Sequence, residues 1–276
     1  MLSRVLTVTL AIAALAGCGG TEPTAEGKQQ VVAGFYPLQF LAERIGGDAV
    51  HVITLAEPGA EPHDLELKPS QVLRIADADL VLYLKGLQPE LDHAVELKTE
   101  GESFDVTTVS PLTGGDPHIW LDPSRMATLA EAVGQQLGRP DQAKALKDEL
   151  TKLDAEFAEG LRNCQRREIV TSHDAFGYLA RRYQLEQIPI TGLTPESEPT
   201  PQQLQQAKQK AQQAGATTIF FETLVSPAVA ETVAKEIGAK TAVLDPLEGL
   251  EAGGGEDYLS VMRTNLGTLR EALGCS

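Results

Sequence analysis

Along the chain, short runs of branched aliphatic residues alternate with longer stretches in which apolar residues recur every three or four positions. The first pattern predicts buried strands, the second helices that pack by one face. Val31 to Phe35 is the first such run, and Leu38, Leu41, Ala42 and Ile45 mark a helix behind it that Gly46-Gly47 ends. Val50 to Leu55, Leu80 to Leu84 and Phe104 to Val109 read as further strands, with helices from a Ser70 cap through Ala76 and over Leu91 to Leu97. From Pro123 to about Arg162 the pattern is helical, interrupted only at Gly138-Arg139-Pro140. The segment after Pro140 carries Ala143, Leu146, Leu150, Leu153, Phe157 and Leu161 on one face and predicts a helix about 33 Å long. The strand–helix alternation then restarts. Strands are expected over Glu168 to Thr171, Gln187 to Ile190, Thr217 to Phe221 and Thr241 to Leu244. Helices are expected over Ala175 to Arg182, Pro201 to Gln213, Ala228 to Ile237 and Asp257 to Leu273. This predicts two α/β lobes, each a mainly parallel sheet flanked by helices, joined by a long rigid linker helix. The expected boundaries are 31–122 for the first lobe, 123–163 for the linker helices and 164–276 for the second lobe.

The first thirty residues follow neither pattern. Arg4 precedes a short apolar run, Val5 to Leu15, too short for a stable membrane span, which reads as a signal peptide over 1–17. Leu15-Ala16-Gly17-Cys18 resembles a bacterial lipobox, with Cys18 as the lipidated residue, and 18–30 reads as a flexible tether. The domain is then expected outside the cytoplasm, lipid-anchored to the outer face of a membrane it does not cross. In that oxidising setting the two remaining cysteines, Cys164 and Cys275, are expected to form a disulfide. A formal net charge of −16 argues against nucleic acid as a partner and suits a protein that attracts cations.

Candidate chemistry centres on Asp116-Pro117-His118-Ile119-Trp120-Leu121-Asp122-Pro123. The two Asp-Pro pairs stiffen the loop that carries His118 and start the next helix. Alone, such a histidine is ordinarily a core residue satisfied by a carbonyl. However, His63, His118, His173 and Asp245 each lie shortly after an expected strand, two in each lobe. Ligands of open α/β sheets bind outside the carboxyl ends of the strands, so the four can converge in the cleft between lobes. Three imidazoles and a carboxylate suit a borderline divalent ion, Zn2+ first and Mn2+ as the alternative. Binding is then expected to weaken as pH falls through about 6.5, the reference imidazole pKa. Glu222 ends a strand and is a candidate to hydrogen-bond a ligand imidazole. His51 and His93 fall at a strand edge and near a helix start and are not expected in the site.

Four segments resemble the zinc- and manganese-binding solute-binding lipoproteins of ABC importers. They are Pro62-His63-Asp64-Leu65-Glu66, Asp116 to Pro123, Thr171-Ser172-His173-Asp174-Ala175-Phe176-Gly177-Tyr178 and Leu244-Asp245-Pro246-Leu247. The resemblance implies one divalent metal held between two lobes by His63, His118, His173 and Asp245, and delivery of that metal to a membrane permease. It implies no enzymatic activity and a monomer. Histidine at the third ligand position, here His173, marks the zinc type. Val109 to Gly115 lacks the histidine-rich loop of many such zinc proteins. Pro62 stands where some members carry a carboxylate, which leaves Glu61, Asp245 or water to complete the site. Within the binding class the alternative is a manganese- or iron-binding protein of the same family, and a zinc hydrolase, with Glu222 as the candidate base, is the rival from another functional class.

Overall fold

The computed structural model describes residues 27–98, 100–195, 199–250 and 255–276. Cys18 and the expected signal peptide lie outside the described residues. The apolar runs form two four-stranded sheets in which every neighbouring pair is parallel. In the first lobe the strands are β1 (Gln29–Ala33), β2 (Val50–Thr54), β3 (Leu80–Tyr83) and β4 (Glu102–Asp105), in spatial order β2-β1-β3-β4. The second lobe repeats that order with β5 (Glu168–Thr171), β6 (Glu186–Pro189), β7 (Thr218–Phe221) and β8 (Lys240–Val243), arranged β6-β5-β7-β8. In both sheets the order reverses beside the first strand of the lobe, which places a ligand crevice at the carboxyl ends of β1/β3 and β5/β7.

Parallel strands need helical crossovers. In the first lobe these are α1 (Tyr36–Gly46), α2 (Pro69–Asp77) and α3 (Pro89–Glu96), and in the second α6 (Gly177–Tyr183), α7 (Pro201–Gln213) and α8 (Ala228–Ile237). Between the lobes run α4 (Pro123–Gln136) and α5 (Pro140–Gly160), and α9 (Tyr258–Leu273) closes the chain. Asp122 caps α4 by accepting from the Ser124 N–H, and Pro123 takes the first turn, as the sequence of that loop requires. The break before α5 is a tight turn with Gly138 at φ +64°, a left-handed conformation natural to glycine. A β-carbon on Gly134 would collide with the Cβ of Ala143, so the two helices touch closely.

The outer face of each sheet has its own apolar cluster, with Val32, Leu55, Ile75 and Val81 in the first lobe and Val170, Ile188, Ile219 and Val233 in the second. The inner faces share one continuous core. It runs from Phe35, Leu41 and Trp120 through Leu129, Leu150 and Phe157 to Phe176, Tyr258 and Met262. The apolar stripe of α5 (Ala143, Leu146, Leu150, Leu153, Phe157) is buried in this common core. Cys164, just past α5, is disulfide-bonded to Cys275, just past α9.

Some boundaries differ from the sequence expectation. The fourth strand ends at Asp105 rather than at Val109, because the Asp105 carboxylate accepts from the Thr107 N–H and turns the chain into a 3-10 helix over Val106–Thr108. Helix α2 begins at Pro69, and Lys68 rather than Ser70 stands at its cap position.

Candidate metal centre

Each ligand candidate leaves its strand end by a different local device. His63 lies in a one-turn 3-10 helix, Pro62–Asp64, where the Glu61 side chain accepts the His63 N–H at 3.2 Å. His118 precedes a second 3-10 turn, Ile119–Leu121, and the Asp116 carboxylate accepts its N–H at 3.0 Å. His173 follows β5 by two residues, and Thr171 Oγ1 donates to its carbonyl at 2.7 Å.

The three rings converge. His63 Nε2, His118 Nε2 and His173 Nε2 lie 3.3, 3.0 and 3.2 Å from a single oxygen, Oε1 of Glu248. Tetrahedral zinc with bonds of about 2.0–2.1 Å has ligand–ligand edges of about 3.3 Å, so three of the six edges are already near their bound lengths. Two of the rings are also fixed from behind. Asp116 Oδ1 sits 2.9 Å from His118 Nδ1, and Glu222 Oε1 sits 2.8 Å from His173 Nδ1. A carboxylate on Nδ1 holds the proton there and leaves Nε2 free for a metal. Glu222 also accepts from Ser172 Oγ at 2.9 Å. His118, His173, Glu222 and Glu248 are all buried, whereas His63 is partly exposed.

The burial carries an electrostatic cost that only paired charges or a cation relieve. Burial opposes charging His173, yet the Glu222 and Glu248 carboxylates bonded to its ring push its pKa up to about 10. For His118 the same contest, between burial and the carboxylates of Asp116 and Glu248, also ends above the ordinary imidazole value. Burial by itself would raise Glu248, but hydrogen bonds from His118, His173 and His63 hold its carboxyl well below the usual range. Burial and the nearby Glu248 push Glu61 up to about 9. Buried oxygens Oε2 of Glu61, Glu222 and Glu248 find no hydrogen-bond partner among the described residues. Unpaired carboxyl oxygens beside three convergent imidazoles are what a cation would satisfy. The donor set fits zinc.

Asp245 is not part of this cluster. Its Oδ1 accepts the Leu247 N–H at 2.7 Å and its Oδ2 accepts from Thr223 Oγ1 at 3.1 Å, so its own turn and the loop after β7 occupy the two oxygens. The carboxylate that meets the histidines is Glu248, three residues further on. Sequence reasoning stopped at the Asp-Pro pair. The available signal was a second carboxylate after Asp245-Pro246, ahead of a glycine-rich run. His51 lies in β2 and His93 in α3, both apart from the cluster.

Comparison with known proteins identifies the family. The model of the family described as zinc-uptake complex component A, periplasmic (ZnuA), matches residues 31–272. The zinc-binding lipoprotein AdcA of Streptococcus pneumoniae is 33% identical over 97% of the chain, and the chain spans 60% of that protein's length. The high-affinity zinc uptake system protein ZnuA of Bacillus subtilis is 31% identical, with 98% of the chain and 97% of the relative covered. Among solved structures, the Zn(II)-bound ZnuA-like domain of S. pneumoniae AdcA superposes with a TM-score of 0.76 at 31% identity, covering 90% of this chain and 99% of that one. A laminin-binding protein of Streptococcus agalactiae, described as both adhesin and metal transporter, gives a TM-score of 0.80 at 32% identity over 89% of this chain and 99% of its own. With a matching sequence model over nearly all of the described residues and the same two-lobed fold, this chain belongs to the ZnuA family of zinc-uptake components.

Proposed function

We propose that the chain is an extracytoplasmic zinc-capture protein that binds one Zn2+ through His63, His118, His173 and Glu248 and delivers it to an ABC import permease. Residues 29–122 and 164–276 are its two lobes and 123–163 the helices that link them; the first lobe takes in Gln29 and Gln30, expected in the tether, because they pair with Val50 and His51 in the sheet. One observation carries the reading: the Nε2 atoms of three histidines from both lobes lie 3.0–3.3 Å from one buried carboxylate oxygen. Three nitrogens and one oxygen favour zinc over manganese, which prefers oxygen-rich, octahedral surroundings. The names of the relatives support zinc as the cargo, and the name lipoprotein supports a lipid anchor, for which Cys18 of the lipobox-like segment is the candidate. Among the described residues, no helix is long and apolar enough to cross a membrane.

Capture explains the donor set better than hydrolysis does. A catalytic zinc keeps a coordination position open for water, with three protein ligands. Here four protein groups converge, and Glu222, the candidate base, is bonded to His173 and Ser172. We therefore assign no catalytic step and expect a monomer. Release needs the lobes, or one ligand loop, to move.

The reading is tested by elemental analysis of protein purified without added metal, followed by competitive titration with zinc and manganese. One equivalent of zinc, retained against manganese, is expected. Stoichiometric manganese that zinc fails to displace would overturn the zinc assignment.

A further inference from the structure

Glu248 poses a mechanical problem. Its side chain is fully buried, and the bonded partners of its carboxylate are the three ring nitrogens that a metal would claim. Those bonds cannot aim the side chain at zinc, because coordination replaces them. The backbone ahead of Glu248 must do so.

That backbone is held residue by residue. The chain leaves β8 with the Leu244 N–H donating to the Phe221 carbonyl at 2.9 Å. Asp245 is then gripped by Asn265 of α9, whose Oδ1 accepts the Asp245 N–H at 3.0 Å and whose Nδ2 donates to the Asp245 carbonyl at 2.7 Å. The Pro246 carbonyl accepts from Trp120 Nε1 at 2.7 Å, across the cleft. Leu247 comes next, buried and left-handed at φ +58°, a region that a leucine enters only when its surroundings impose it. The imposing group is the Asp245 carboxylate: its Oδ1 accepts the Leu247 N–H at 2.7 Å, closing a tight turn, while Thr223 Oγ1 steadies the other oxygen. A peptide turned the other way at Leu247 would direct the Glu248 side chain away from the rings.

Asn265 is otherwise hard to account for. It is the one polar residue among the buried positions of α9, which are otherwise Tyr258, Leu259, Val261, Met262, Leu269 and Leu273. A buried amide there is satisfied through the backbone of a single residue, by the N–H and the carbonyl of Asp245. We propose that Asp245 and Asn265 are positioning residues for zinc binding, which hold Leu247 in its left-handed turn and so aim Glu248 at the metal. The proposal rests on the reading of Glu248 as a ligand and gives Asp245 a part in the site without contact to the ion.

The test is a double-mutant cycle read as zinc dissociation constants from chelator competition, with circular dichroism confirming the fold of each variant. Asp245→Ala should weaken zinc about 10- to 100-fold, the range for groups that orient ligands. Asn265→Ala should weaken it in the same direction and serves as the second probe should Asp245→Ala fold poorly. Asp245→Asn should recover most of the affinity, since an amide oxygen can still accept the Leu247 N–H. In a Glu248→Ala background, Asp245→Ala should cause no further loss. A persistent loss in that background, or an Asn variant as weak as the Ala variant, would overturn the positioning role alone and point to direct ligation or a charge effect. Unchanged zinc affinity in Glu248→Ala would remove the ligand reading, and this proposal with it.

Discussion

The two loops that bring histidines from the first lobe are held in opposite ways. The His118 loop belongs mechanically to the second lobe. Tyr258 donates to the Trp120 carbonyl at 2.6 Å, Trp120 donates to Pro246, and Tyr178 accepts from the Thr113 N–H and donates to the Asp116 carbonyl. Arg125 and Arg181 each lie 4.5 Å from the centre of the Tyr178 ring, and Arg181 reaches Asp116 at 3.5 Å. The His63 loop, by contrast, is a single 3-10 turn, its ring is partly exposed, and no group among the described residues bonds its Nδ1. Its neighbour Gly59 reaches the second lobe by a backbone bond to Leu250. Chain order suggests ligands shared two and two between lobes. The hydrogen bonds divide them three and one, with His118, His173 and Glu248 on one body and His63 on the other. On the proposed function, capture would begin on the three groups held by one body, and His63 is the ligand expected to move on release.

The largest expected effect sharpens the contrast between a stapled second lobe and an unstapled first one. Replacing Cys164 and Cys275 by serine removes a crosslink spanning 111 residues, worth about 4–5 kcal/mol in the chain-entropy model. Urea unfolding should register most of that loss, while zinc affinity of the folded protein stays unchanged. A large affinity loss in the folded variant would show that the staple shapes the site itself.

Ligand removal comes next. Four-ligand zinc sites are worth roughly 10–16 kcal/mol, or about 3 kcal/mol for each ligand, more than 100-fold in affinity. His118→Ala and His173→Ala should each lose about that much. His63→Ala should lose less, on the order of 10-fold, because the platform survives and water can take the open position. Stopped-flow release into chelator should be fastest in His63→Ala relative to its affinity. Equal losses at all three histidines would break the three-and-one division.

Acid acts as well, on the order of tenfold per pH unit for each proton displaced. The expectation from sequence placed the decline near pH 6.5. The structure moves it upward, because carboxylates bonded to the rings raise both His118 and His173 above the ordinary imidazole value, His173 to about 10. A pKa raised on folding stabilises the metal-free protein below the unfolded value of about 6.5, and that stability is lost as pH rises toward about 10 for His173. Zinc requires the neutral ring, so its affinity should climb over that same interval while the melting temperature of the metal-free protein falls. Affinity that is flat between pH 7 and 9 would contradict this pairing.

The features legible in the sequence are those encoded by neighbours in the chain. The strand runs, the Asp122-Pro123 cap, the α5 stripe and the His118 loop all depend on residues a few positions apart. The histidines could be picked out because each follows a strand, and the parallel fold gathers strand ends. Glu248 escaped because its selection over Asp245 is decided at a distance. Asn265 and Thr223, far away in sequence, engage Asp245, and a left-handed leucine carries the chain onward. Nothing local in Asp245-Pro246-Leu247-Glu248 marks which carboxylate faces inward. The early end of β4 is the smaller counterpart: Asp105 reads as a strand residue but caps the turn that stops the strand.

The most direct test of the central claim is a crystal structure of the zinc-loaded protein, with the ion located by anomalous scattering at the zinc edge. The account predicts one strong peak in the cleft, about 2.0–2.1 Å from Nε2 of His63, His118 and His173 and about 2.0–2.2 Å from a Glu248 oxygen. A zinc ion bound to Asp245 in place of Glu248, or one lying away from the three rings, would contradict it.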